Sequence, residues 1–346
     1  MLRSSKLREF ALTPGKLAWP WVAFSPERGA FAATVFPGDL TIRSSTSLDS
    51  ETRSQLPDVL AIPTEEPSRS GTTSRQPGLH AFALHPDART VVAFGWHAEL
   101  PVACVLQAGI LRDLVDLSPA LGDMGPLAAA FTRDGQSLWV SAESRVGAAI
   151  ARLRFRDFAL ESKAAFPPPP PPAAHELLLH PFEDAVLLAM ACGQDGTFVR
   201  VARAAGGRLD LVAGDGDLGL EPCGAAEWTE DGARVCLVTA DAVELRRWPD
   251  LGRESTFELG EGLLANYNGM RMAGRFIVSA TRDDEDDDED GVPNERALVF
   301  SDTLELEDDA PGPPGMWAGR LGRDRLVTVG RDKGESRAVF VYAIEV

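Results

Sequence analysis

Apolar and polar positions along this chain repeat one phrase: an apolar run, a tight polar turn, a second apolar run. "FTRDGQSLWV" (131–140) states it compactly, and four further copies read as the same phrase. They are "VAFSPERGAFAATVF" from Val22, "FALHPDARTVVAFG" from Phe82, "LLLHPFEDAVLLAMA" from Leu177 and "AEWTEDGARVCLVTA" from Ala226. Two weaker copies follow, "MRMAGRFIVSA" from Met270 and "WAGRLGRDRLVTVG" from Trp317, which makes seven. The anchors Phe24, Leu84, Phe131, Leu179 and Trp228 are 60, 47, 48 and 49 residues apart. That spacing is slightly longer than a four-stranded propeller blade requires. The wide first interval holds a Ser/Thr/Pro-rich insertion between Ser44 and Gly78.

Two more strands are predicted after each hairpin: 148–155 and 158–162, 197–204 and 208–214, 242–248 and 255–260. Their length and Gly/Asp/Pro punctuation suit short antiparallel strands, and no segment sustains a helical period over three turns. An isolated four-stranded sheet cannot bury both faces, whereas sheets stacked radially bury each against two neighbours. The expected fold is therefore all-β, a seven-bladed β-propeller of four-stranded antiparallel blades in one domain spanning 1–346. The blades fall at about 16–63, 78–118, 126–165, 174–214, 222–260, 268–308 and 315–346. The last unit has only three strand candidates, and the spare N-terminal "LREFAL" (7–12) is expected to complete it, removing two open sheet edges.

The units resemble WD40-type and YVTN-type propeller repeats, with "AFTRDGQSLWVS" close to the strand-turn-strand core of those families. The resemblance covers nearly the whole chain and implies the propeller fold. No Gly-His dipeptide precedes the first strand at the WD40 spacing. The Trp-Asp ending survives only as "WPD" (248–250), "FRD" (155–157) and "FSD" (300–302), so the WD40 hydrogen-bond network is not expected.

Labelling strands a to d from the axis outward, the b–c and d–a connections share one rim and the a–b and c–d turns the other. The unusual segments collect on the first rim: the acidic run "DDEDDDEDG" (283–291), "FPPPPPP" (166–172) and "TEEPSRSGTTSRQPG" (64–78). Loops on a rigid scaffold are where binding is usually built. That rim is therefore the expected partner-binding face, with Trp96, His97, Arg145, Asp195, Arg282 and Arg331 as candidate contacts. The hexaproline is expected to be a stiff polyproline II link.

Charge and composition narrow the partners. Of 34 basic residues 30 are arginine, and the net charge of −18 disfavours a phosphate-backbone partner, which needs clustered cations. With no signal-peptide core and no apolar span, the expectation is a cytoplasmic protein, of bacterial origin by its composition, with a protein partner and neither nucleic acid nor membrane. The cysteines Cys104, Cys192, Cys223 and Cys236 lack CxxC pairing and are expected to be buried thiols.

Several motifs fail on chemistry. The histidines of "HELLLH" (175–180) are five apart, an odd separation that points them to opposite sides of a strand rather than one helical face. "GDGDLG" (214–219) matches a dinucleotide fingerprint by letter but precedes a strand, and Asp215 and Asp217 would repel a pyrophosphate. Asp286, Asp288, Asp290 and Asn294 occupy calcium-loop positions, the one cofactor considered, although Ala297 stands where an EF-hand needs glutamate. His80 and His175 begin matching inner strands near the channel mouth. No catalytic set is assigned. The leading expectation is a non-enzymatic interaction scaffold; the alternatives are a hydrolase or lactonase-like propeller with a divalent metal at the channel mouth, or a calcium-responsive module.

Overall fold

The computed structural model describes residues 2–12, 20–35, 39–56, 78–97, 99–144, 146–167, 174–191, 197–213, 223–239, 241–282, 295–331 and 337–346. These form seven four-stranded antiparallel sheets, each ordered as the chain runs, except the last. That sheet takes its fourth strand from the N-terminus: Arg3–Ala11 pairs with Arg337–Glu345, from Arg3 opposite Glu345 to Ala11 opposite Ala338. The expected closure is present, and the closing strand begins four residues earlier than its apolar residues suggested. Its side chains are mostly exposed, so backbone pairing defines it more than hydrophobicity does.

Burial peaks in the second strand of each blade, the channel-lining inner strands being partly exposed, and falls from there outward. The b strand of the third blade, Ser137–Ser144, is buried throughout, whereas the d strand of the second, Ile110–Asp116, is almost wholly exposed. Among the described residues, buried apolar side chains gather into seven clusters, one between each pair of consecutive blades. Strand periodicity produces this directly, because successive side chains point to opposite faces. In Ala185–Ala191 the residues Val186, Leu188 and Met190 pack toward the third blade, while Ala185, Leu187 and Ala189 pack toward the fifth. The seventh cluster joins Phe31 and Ala33 of the first blade to Val327, Val339 and Val341 of the last, which seals the ring.

Some boundaries differ from expectation. The outer strand of the third blade is Leu160–Phe166 rather than 158–162, because Phe158 has φ +54° and the Asp157 carboxylate accepts from Ala159 N at 3.2 Å, extending the turn. The inner strand of the sixth blade starts at Leu263 rather than 268. One helical turn, Ser118–Leu121, links the second and third blades.

The repeated polar turn has a local cause. Thr132 donates its hydroxyl to Asp134 at 2.6 Å and accepts from Ser137 N at 3.1 Å, while Asp134 accepts from Gln136 N at 3.0 Å. Thr229 and Asp231 repeat this with Arg234 N and Ala233 N. Each turn closes on a glycine with positive φ, Gly135 at +68° and Gly232 at +69°.

The glycines also admit a neighbour. His85, from the His-Pro turn of the second blade, places Nε2 3.3 Å from Gly135 O, and His180 of the fourth places Nε2 2.9 Å from Gly232 O. A Cβ at either glycine would lie within 3 Å of the imidazole. Each ring also packs on two aromatics of the following blade, Phe131 and Phe155 for His85, Trp228 and Trp248 for His180. Phe155 of "FRD" and Trp248 of "WPD" thus serve a blade-to-blade stack.

Candidate functional site

Two regions carry the candidate chemistry: the rim bearing the b–c and d–a connections, and the opposite end of the central channel. Antiparallel order within every sheet brings the strand ends of all these connections to the first rim. Of the candidate contacts there, His97 is exposed at the end of Thr90–His97. Arg282 and Arg331 close the b strands Arg275–Arg282 and Arg325–Arg331. Trp96 is corrected: it is 1% exposed, with Nε1 only 2.6 Å from where a Gly125 Cβ would stand, so it packs between the second and third blades. Arg145, Asp195 and the calcium-loop positions Asp286, Asp288, Asp290 and Asn294 lie outside the described residues, as do 64–77, 168–172 and 214–219. Exposed apolar side chains flank the rim at Leu100 and Val146, the latter 84% exposed.

The histidines divide as their odd separation requires. His175 turns toward the third blade, with Nδ1 3.1 Å from Ser141 Oγ and Nε2 2.9 Å from Glu143 Oε2. His180 turns toward the fifth. The His175 ring is fully enclosed, so this polar cluster is a buried joint between blades. Among the described residues, no three His, Cys, Asp or Glu side chains gather in a metal-binding arrangement. Cys104 and Cys236 are buried and unbridged, and burial pushes the Cys104 thiol up to about 12. No helix among the described residues is long and apolar enough to cross a membrane.

The opposite end of the channel opens as a cavity of about 840 Å³ lined by all seven inner strands. Its walls include the inner strands Pro20–Phe24, Gly125–Phe131, Ala174–Leu179 and Cys223–Trp228, with the a–b turns forming the mouth. Five arginines line it, Arg28, Arg133, Arg271, Arg320 and Arg323, against the carboxylates Glu176, Glu227 and Glu230. Nothing in the sequence marks this mouth, because the repeated turns look alike.

Two backbone bulges aim the deepest charges. The register slips between Ala225 and Glu227 in the fifth blade, and between Trp317 and Gly319 in the seventh. A bulge adds a residue to one strand and redirects the side chains beside it. Here Glu227 and Arg320 follow the two slips. Gly319 is required at φ +154°, because the Phe24 ring occupies the place of its missing Cβ at 2.5 Å.

Across the channel, Arg28 of the first blade grips Glu227 with both terminal nitrogens, Nη2 lying 2.5 Å from Oε1. Arg320 Nε donates to the same carboxylate at 3.2 Å and its Nη1 donates to Gly322 O at 2.8 Å. Burial acts to raise the Glu227 carboxyl, but the two guanidiniums outweigh it and hold Glu227 below its usual range. The Arg320 guanidinium is lowered, first by burial and then by the charge of Arg28. Beside this cluster, Arg271 donates to both oxygens of Asp302 at 3.2 and 3.1 Å and reaches Glu230 at 3.5 Å. Arg133 lies 6.0 Å from the ring centroid of Phe182, which is 67% exposed.

No protein-family model matches the chain, and no curated protein matches it. Its shape is widely shared, with 1120 chains of solved structures matching, so likeness of fold leaves function to the site. One is the crystal structure of the Myceliophteria thermophila Cps50 (Swd1) β-propeller domain, at 10% identity and a TM-score of 0.58. The match covers 97% of this chain and 99% of that one, so the two share a propeller fold end to end.

Proposed function

We propose that the protein is a non-enzymatic interaction scaffold that holds a protein partner on the rim bearing the b–c and d–a connections. The supporting observation is the asymmetry of the ring. The a–b turns are short, and those of the third and fifth blades close on their own Thr, Asp and Gly residues, whereas the long connections all leave from the other rim. A rigid ring that concentrates its sequence variety on one face suits selective binding. Exposed His97, Leu100 and Val146 supply polar and apolar contacts there. At the a–b end of the channel arginines outnumber the lining carboxylates and would repel a divalent cation, so that mouth does not favour metal-assisted hydrolysis.

The test uses the full chain as bait in extracts of its native host. One variant shortens 57–77 to a tight loop, a second replaces the acids of 283–291 with serine, and a third carries Arg323→Gln on the opposite face. The first two should lose the co-purifying partner while the third retains it. Equal loss from both faces would overturn the assignment.

A further inference from the structure

We propose that the arginine-lined mouth at the a–b end of the channel binds a small, multiply charged oxyanion, bearing phosphate or carboxylate groups. The site is distinct from the partner-binding rim and does not depend on it. Four of its arginines come from three consecutive blades: Arg271 from the sixth, Arg320 and Arg323 from the seventh, Arg28 from the first. Arg28 and Arg320 share a single carboxylate, so the Arg28–Glu227–Arg320 cluster keeps one positive charge in a half-enclosed place. Arg323 is exposed at the rim and makes no ion pair with a described residue.

Arg271 is balanced by Asp302 and Glu230 and Arg133 faces Glu27, so the excess positive charge lies with Arg28, Arg320 and Arg323 around the single carboxylate of Glu227, in a protein whose net charge is −18. A positive site held in a negative molecule selects by size. A long polyanion would meet the acidic exterior, whereas a small anion fits within the cavity of about 840 Å³ and reaches these arginines. Guanidinium suits this role because its planar fork matches phosphate and carboxylate oxygens with paired hydrogen bonds. The low-dielectric walls, including Phe24, Phe82 and Phe131, strengthen such contacts relative to open water. Glu227 offsets part of this charge and anchors both guanidiniums. Asp302 holds Arg271 from its Nε edge.

Titration calorimetry of the full chain with tripolyphosphate and with citrate tests the proposal, at low and high salt. Saturable one-to-one binding of either probe, weakening as salt rises, is expected; tripolyphosphate alone would assign phosphate, and both together would assign oxyanions generally. Arg323→Gln, an exposed change, should weaken binding by about tenfold, and Arg320→Gln by at least as much. Glu227→Gln should act in the opposite direction, tightening binding and enlarging the rise in melting temperature that the anion produces. Failure of both probes to bind, or binding unchanged in Arg323→Gln and Arg320→Gln, would overturn the proposal. Partner capture by the opposite rim is measured separately, so either result stands without the other.

Discussion

His180 and Gly232 show how one residue can hold two blades. Phe182 N and Glu183 N donate to His180 Nδ1, which leaves Nε2 to donate to Gly232 O. Burial lowers the imidazole pKa and keeps it neutral for this role. A side chain at Gly232 would be strained at φ +69° and would displace the ring, so Gly232→Ala should cost about 2 kcal/mol, measured by denaturant unfolding. Gly206→Ala, also at positive φ but with open space around it, is the control and should cost less. Glu295 gives a second prediction. Its Oε1 accepts from Gly315 N at 3.1 Å, while Oε2 is buried without a hydrogen-bond partner among the described residues. Burial accordingly raises its pKa from 4.5 to about 7. Between those values the folded chain keeps a proton that the unfolded chain releases, so this group's contribution to stability is full at low pH and is lost as pH rises toward 7. Glu295→Gln should therefore gain stability over the parent as pH rises through that window, and a difference independent of pH would refute the assignment.

Among the elements, the N-terminal strand has the largest consequence for its size. Arg3–Ala11 contributes few buried side chains of its own, although Leu2 and Leu12 at its two ends join the clusters on either side of the last blade. Removing residues 1–12 would strip the backbone partners from Arg337–Glu345 and leave its edge open to other chains. The truncated protein should melt at lower temperature and self-associate on size-exclusion chromatography. A synthetic peptide of residues 2–12 should restore the monodisperse profile, and its failure to do so would show that the strand acts by something other than pairing. The outer strand Ile110–Asp116 shows how a native edge is managed, since Arg112 and Asp113 interrupt the exposed Ile110, Leu111 and Leu114.

For the whole molecule, the ring converts sequence distance into proximity. Arg28 and Glu227 are 199 positions apart and meet across the channel, so the axis is braced by an ion cluster as well as by the interblade clusters. The two faces differ in chemistry as a result. One holds the strand ends from which the long connections leave, and the other carries the arginine mouth. This polarity separates the two proposals, a protein partner on the first face and a small anion in the second.

Much of the architecture was legible in the chain. Seven strand-turn-strand phrases at near-constant spacing require seven sheets, and a last unit one strand short requires the N-terminal strand. These follow from local rules, the period of two along a strand and the turn chemistry of Thr, Asp and Gly, which act over a few residues. The shared rim of the b–c and d–a connections follows from strand order in the same way. The polarity of the channel was decided only by tertiary structure. Glu227 in "GAAEW" and Arg320 in "WAGRL" look like ordinary interruptions of inner strands, and nothing near either one in the sequence shows that they meet at the axis. Trp96 shows the converse: beside His97 it looks like a loop contact, yet the absence of a side chain at Gly125 in the next blade gives its ring a buried place. Local pattern sets which segments become strands, whereas the charge facing the axis depends on groups from distant blades, and no short window of sequence contains them together.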